Sequence, residues 1–181
     1  MDGGMDPGQD QATAREQLLR YLLRTLQILP AESALSLVHP AIPQARLHRG
    51  VTLPAGDNEP QVVAEFFDIA YWIIGITVDA GGGCFDRIVR CWSDAGWPTG
   101  SDRDIPPRSA YTRTPDGFGL SVRQSVDGFV SLSGSTPPFP LGGTGTTPFP
   151  EFIRHPTPAG TGSENTDPRS VEHPDGGVRK S

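Results

Sequence analysis

A chain of 181 residues has room for one ordinary domain and an additional segment. Its formal net charge of −6 and pI near 5.1 argue against a general binder of nucleic acid or of anionic membranes. Lys180 is the single lysine among 15 basic residues, and Gly (22) and Pro (19) are abundant, a bias that points to a GC-rich genome and to loops, not to a site.

Residues 1–11 are polar and expected to be disordered. They carry no apolar core before a small-residue cleavage site, so they do not read as a signal peptide, and no lipid-attachment cysteine lies near them. Thr13-Ala14-Arg15-Glu16 matches a capping box, in which Thr accepts an orphan amide and Glu reaches back. Leu18, Leu22, Leu26 and Leu29 follow at helical spacing, Leu19 and Leu23 widen the stripe, and Pro30 closes the helix. Short strands are expected at 34–38 and 47–53, with Asp57-Asn58-Glu59-Pro60 as a loop.

The stretch 61–78 fits either of two elements. Val63, Phe66, Ala70 and Ile73 suit a helix opened by Pro60, but aromatic and β-branched residues dominate from Phe66 to Val78. A long central strand over about 64–78, covered on both faces, is the expectation. This apolar run is far short of the roughly 20 residues that span a bilayer. A cytoplasmic protein with no membrane span follows.

Gly81-Gly82-Gly83 invites comparison with a phosphate cradle. Neither Gly-x-Gly-x-x-Gly nor a Gly-Lys-Ser/Thr ending is present, and Asp86 in the next turn would repel phosphate, so a flexible linker is expected. Phe85, Ile88, Val89 and Trp92 then form the stripe of a helix over 84–95, with Gly96 as its left-handed stop and Trp97-Pro98 beyond. Cys84 and Cys91 lie seven apart on it, about 10 Å along the axis, too far for a disulfide. His39, His48, His155 and His173 are scattered, so no metal site is expected.

Beyond a charged loop at 101–107, Thr114-Pro115-Asp116-Gly117 suits a type I turn and Asp127-Gly128 marks another. Phe118, Leu120 and Val122 alternate with Gly119, Ser121 and Arg123, one face buried and one wet. A three-stranded meander near 108–114, 118–125 and 129–134 follows. Its second hairpin has two registers. A two-residue turn pairs Val126 with Phe129 and sends Val130 and Leu132 to the wet face. A three-residue loop with Gly128 at positive φ pairs Ser125 with Phe129 and keeps the apolar residues together. The bulged loop is predicted. From Ser135 the pattern stops, Pro137 and Pro140 make a Pro-x-x-Pro spacing, and disorder is expected from 141 to 181.

The chemistry is sparse. Neither cysteine has a histidine near it in sequence, no Gly-x-Ser-x-Gly elbow exists, and Asp57/Glu59 and Asp102/Asp104 lie in loops. No catalytic residue, no metal ligand and no cofactor is assigned, and whether the chain is an enzyme stays open. Ligand or interface candidates are Trp72, Trp97, Arg108 and Tyr111, around a cleft between the 84–95 helix and the sheet.

"FFDIAYWIIGI", "GW" after a helix, "TPDGFGLSV" and "DGFVSL…STPPF" resemble small uncharacterised proteins of mycobacteria and related actinobacteria over about 15–140, some of them described as lipoproteins. In those lipoproteins a cysteine commonly follows the last strand, where this chain has Pro137-Pro138. The fold expected is α+β over 12–140: a mainly antiparallel sheet of four to five strands, two helices on one face, and a C-terminal meander. The expected role is a non-enzymatic binding or accessory module of an actinobacterium or its phage, with a protein partner and no nucleic acid. The alternative is a small-ligand carrier or enzyme using the helix–sheet cleft.

Overall fold

The computed structural model describes residues 10–55, 64–142 and 148–156. The expectations for 1–9, for the loop at 57–60 with its carboxylates, and for 157–181 lie outside these residues. In chain order the elements are α1 (Gln11–Gln27), β1 (Ala34–Ser36), β2 (Val51–Pro54), β3 (Ala64–Ile74), a 3₁₀ turn (Val78–Ala80), α2 (Gly81–Asp94), β4 (Thr99–Ser101), β5 (Arg108–Arg113), β6 (Gly119–Gln124), β7 (Val130–Ser135), β8 (Phe139–Pro140) and β9 (Phe152–Arg154).

The fold is α+β with one antiparallel sheet of order β4-β5-β6-β7-β3-β1-β9. β3 is its spine: β7 and β8 pair along one edge, β1 and β2 along the other. Among the described residues the sheet has nine strands, not four to five. Those that escape the sequence pattern, such as β4, β8 and β9 with 3, 2 and 3 residues, are too short to show an alternation.

α1 begins at Asp10, whose carboxylate accepts the Thr13 amide at 2.7 Å, and not at Thr13. Asp caps as well as Thr, and Gln11 and Ala12 extend the helix readily. Ala14, Leu18, Leu22 and Leu26 form its buried stripe. Leu18 lies against Gly134 of β7, where a Cβ would stand 2.6 Å from its Cδ1.

The glycine run is no linker. Gly81, Gly82 and Gly83 form the first turn of α2. A Cβ on Gly81 would stand 2.1 Å from the Gly128 carbonyl, so the glycine lets the helix start close beside the β6–β7 turn and Val130. Trp92 is fully buried and donates its indole N–H to Thr25 Oγ1 at 3.2 Å, which ties α2 to α1. Gly96 at φ 75° ends the helix, and the Trp97 amide donates back to the Trp92 carbonyl, as expected of a left-handed stop.

β3 stops at Ile74 because Gly75 turns at φ 80°, hard against the Glu32 carbonyl. It is buried on one face only: Phe67, Ile69, Tyr71 and Ile73 point into the core, while Asp68, Ala70, Trp72 and Ile74 are half-buried on the other side. The near-continuous apolar run therefore reflects a spine with strands on both edges, not layers on both faces.

The meander has the predicted strands, and its second hairpin has the bulged register. Ser125 N–H donates to the Phe129 carbonyl, Gly128 has φ 87°, and Val122 faces Leu132. The first hairpin repeats the device, with Thr114 N–H donating to Phe118 and Gly117 at φ 89°.

Order does not end at 140. Phe149 is buried against Phe67, with ring centroids 5.2 Å apart, and β9 pairs with β1 through Ile153 opposite Leu35. Glu151 holds Arg46 at 3.0 Å and Arg49 at 2.6 Å. Pro137–Pro140 is absorbed into the sheet too, since Phe139 is buried and opposes Glu65. A few apolar residues anchor a segment whose average composition reads as disordered. Among the described residues, no helix is long and apolar enough to cross a membrane.

Candidate functional site

The two sides of the central sheet differ in chemistry. Leu120, Val122, Val130, Leu132, Ile69 and Tyr71 are buried on the side that meets the helices. Residues directly opposite in antiparallel pairs share a face, so register fixes what the other side presents. Tyr111 of β5 opposes Ser121 of β6, Ser121 opposes Ser133 of β7, and Ser133 opposes Ala70 of β3. Two residues along, Arg113, Gly119, Ser135 and Asp68 form a second row. On the opposite flank Ser109, Arg123, Ser131 and Trp72 form a third.

The first two rows floor an open depression of about 450 Å³. Two glycines shape it. A Cβ on Gly100 would stand 2.9 Å from the Tyr111 ring, so the ring rests against β4 backbone while remaining 63% exposed. A Cβ on Gly119 would stand 2.6 Å from Ser135 Oγ, so the glycine leaves that hydroxyl room. A second depression of about 500 Å³ adjoins across the third row, near Trp72, Phe129 and Leu47.

Ser109 and Arg113 on this face are engaged, with Asp102 and with the Gly117 carbonyl, but its central groups are not. Among the described residues, the hydroxyls of Ser121, Ser131, Ser133 and Ser135 and the carboxylate of Asp68 make no hydrogen bond. Burial pushes the Asp68 carboxyl above its usual range, and His48 and Arg123 pull it partly back. The face thus offers hydroxyls, one carboxylate and two exposed guanidinium groups around a flat-lying aromatic ring.

The four candidates from the sequence do not all share one cleft, although Trp72 and Arg108 both line the second depression. Trp97 is buried on the helix side, with Tyr21 edge-on at 5.5 Å and the Arg24 guanidinium 5.0 Å above its ring. Arg108 also lies there: it donates to Gln124 Oε1 at 2.8 Å and to the Gly82 carbonyl, pairs with Asp86 at 3.0 Å and stacks on Phe85 at 4.1 Å. It staples β5 to the first turn of α2. Trp72 and Tyr111 lie on the opposite face. Trp72 donates its indole N–H to the Ala45 carbonyl at 2.7 Å and meets Phe129 and His39 edge-on, so it is held in place by the 37–50 loop.

Between α2 and the sheet, Phe85, Ile88 and Trp92 are buried side chains of the core. Both cysteines are free, and burial pushes the Cys84 thiol up to about 12, which suits a packing group and not a nucleophile. No group of His, Cys, Asp and Glu among the described residues is arranged to hold a metal ion. Sequence reasoning missed Asp68, Ser133 and Ser135. The signal was present in "SLSGS", where serine recurs at every second residue from Ser131 to Ser135. No protein-family model, no curated protein and no solved structure matches the chain, so neither a family nor an activity comes to it from a relative.

Proposed function

We propose that the chain is a non-enzymatic binding or accessory module of an actinobacterium or its phage, presenting the open face of its sheet to a partner. One observation carries the reading. The sheet is packed by helices on one side, while the other keeps an exposed ring, four unpartnered hydroxyls and a half-buried carboxylate in register. These groups face solvent and make no bond within the fold, so a partner can take them up without breaking any internal hydrogen bond. The core side chains buried under α2 speak against the alternative of a small-ligand or catalytic cleft there. The near absence of lysine and the turn motifs support the proposed source.

The test is capture from lysate of the native cells with the wild-type chain and with Ser121→Arg/Ser133→Arg, which blocks the face from its centre. Material held by the wild type is expected to be lost from the variant while its melting temperature stays unchanged. Equal recovery by both overturns the reading.

A further inference from the structure

We infer that the open sheet face is a binding surface for a neutral glycan, a short oligosaccharide lying across the strands from Tyr111 to Asp68. The inference rests on the proposed binding role and names its ligand class. It follows from what the face offers and what each other ligand class would leave unpaired.

An apolar ligand would bury the hydroxyls of Ser121, Ser133 and Ser135 without partners, and a hydroxyl buried unpaired disfavours binding. A cationic ligand meets Arg113 and Arg123, both exposed, and an anionic one meets Asp68. A neutral polyol satisfies all of them. Serine hydroxyls donate and accept, a carboxylate accepts from two ligand hydroxyls at once, and guanidinium groups donate to ring and hydroxyl oxygens.

The ring supplies the remaining element. A pyranose has a face of C–H groups as well as hydroxyl edges, and it stacks on an aromatic ring held flat and exposed. Tyr111 is such a ring: its far side is backed by Gly100, which allows the close approach, and its near side faces solvent. Little side-chain freedom is then left to lose on binding. Tyr111 and Asp68 stand on strands three spacings apart, roughly 14 Å, with serines on each strand between them. This distance suits several linked sugar units and exceeds one. Gly119 and Ala70 keep the floor low between the polar groups, so a chain of sugars meets no bulky side chain there.

The test places the full chain on an array of neutral tri- to hexasaccharides, with uronic-acid and amino-sugar oligosaccharides beside them, and follows hits by calorimetry. At least one neutral oligosaccharide is expected to bind, with the charged ones weaker. Tyr111→Ala is expected to weaken binding by about tenfold or more, and Asp68→Asn by a similar factor, with melting temperatures close to wild type. Tyr111 is exposed enough that its variant folds even where Asp68→Asn does not. The inference is overturned when no neutral oligosaccharide binds at millimolar concentration, or when binding survives both Tyr111→Ala and Ser121→Arg/Ser133→Arg. If the lysate experiment then yields a protein lost from the blocked variant, the glycan fails and the binding role stands. If it yields nothing that the variant loses, both fail.

Discussion

On one side of the sheet, Leu18, Ile88 and Trp92 from two helices share one fully buried core with Val122, Leu132 and Tyr71. On the other, the same strands present Ser121, Ser133, Ala70 and Asp68, and no helix among the described residues lies above them. The strands are shared, so backbone pairing cannot explain the contrast. Side-chain choice at alternate positions does, and it divides the work. The covered face holds the fold, and the open face is released from packing duty.

This division makes its sharpest claim at two aromatic residues. Trp92→Ala removes a fully buried ring and its bond to Thr25, and is expected to cost about 3–5 kcal/mol in a urea melt. Tyr111→Ala on the open face is expected to change stability by no more than about 0.5 kcal/mol. Equal losses would break the comparison. Phe149, packed on Phe67 and Tyr71, tests whether the segment after 147 belongs to the covered side. Its replacement by Ala is expected to cost about 3 kcal/mol, the low end for a buried phenylalanine. A loss within error would make 148–156 an ornament.

The first turn of α2 gives a finer test, because neighbouring glycines carry opposite expectations. Gly81→Ala drives a methyl into the Gly128 carbonyl, a backbone group that cannot swing aside, and is expected to cost about 1–3 kcal/mol. Gly83 has nothing within 4 Å of its would-be Cβ, so Gly83→Ala is expected to gain about 0.5 kcal/mol from the stiffer helix. Two thermal melts decide it. Losses at both positions would show that the whole glycine run, and not one close approach, is needed.

The elements legible in sequence were those with a repeated local cause. The leucine stripe of α1, the Phe85–Trp92 stripe of α2, the type I turn at 114–117 and the bulged loop at 126–128 rest on periodicity or on a turn glycine, and local chemistry goes far to fix them. The Gly81 contact was not legible, because its cause is Gly128, 47 positions away. Nor was the tail: Phe149 and Ile153 are single apolar residues whose partners, Phe67 and Leu35, lie far back in the chain. The site divided the same way. Tyr111 and Trp72 are large residues that draw notice in any sequence, whereas Asp68, Ser133 and Ser135 gain meaning only once register sets them beside one another. Arg108 and Trp97 show how alike the two roles look in sequence: a buried anchor and an exposed ligand contact use the same residue types.

A further small effect, confined to part of the pH range, concerns the charge on the open face. Burial raises the Asp68 carboxyl in the folded chain above its unfolded value, with His48 and Arg123 opposing this less strongly. The folded state therefore prefers the protonated form. Below the unfolded pKa, near 3.9 for an aspartate, both states are protonated and the carboxyl costs nothing. As pH rises from there through the folded pKa, the unfolded chain ionises more readily and stability falls. Asp68→Asn has no charge to desolvate, so it should match the wild type near pH 3 and exceed it at neutral pH by less than about 1 kcal/mol. Paired urea melts across that range check the sign. A variant that is less stable at neutral pH would mean that Arg123 and His48 hold the carboxylate favourably. The open face would then be an ion-paired surface serving the fold, and its contrast with the helix-covered face would lose its basis.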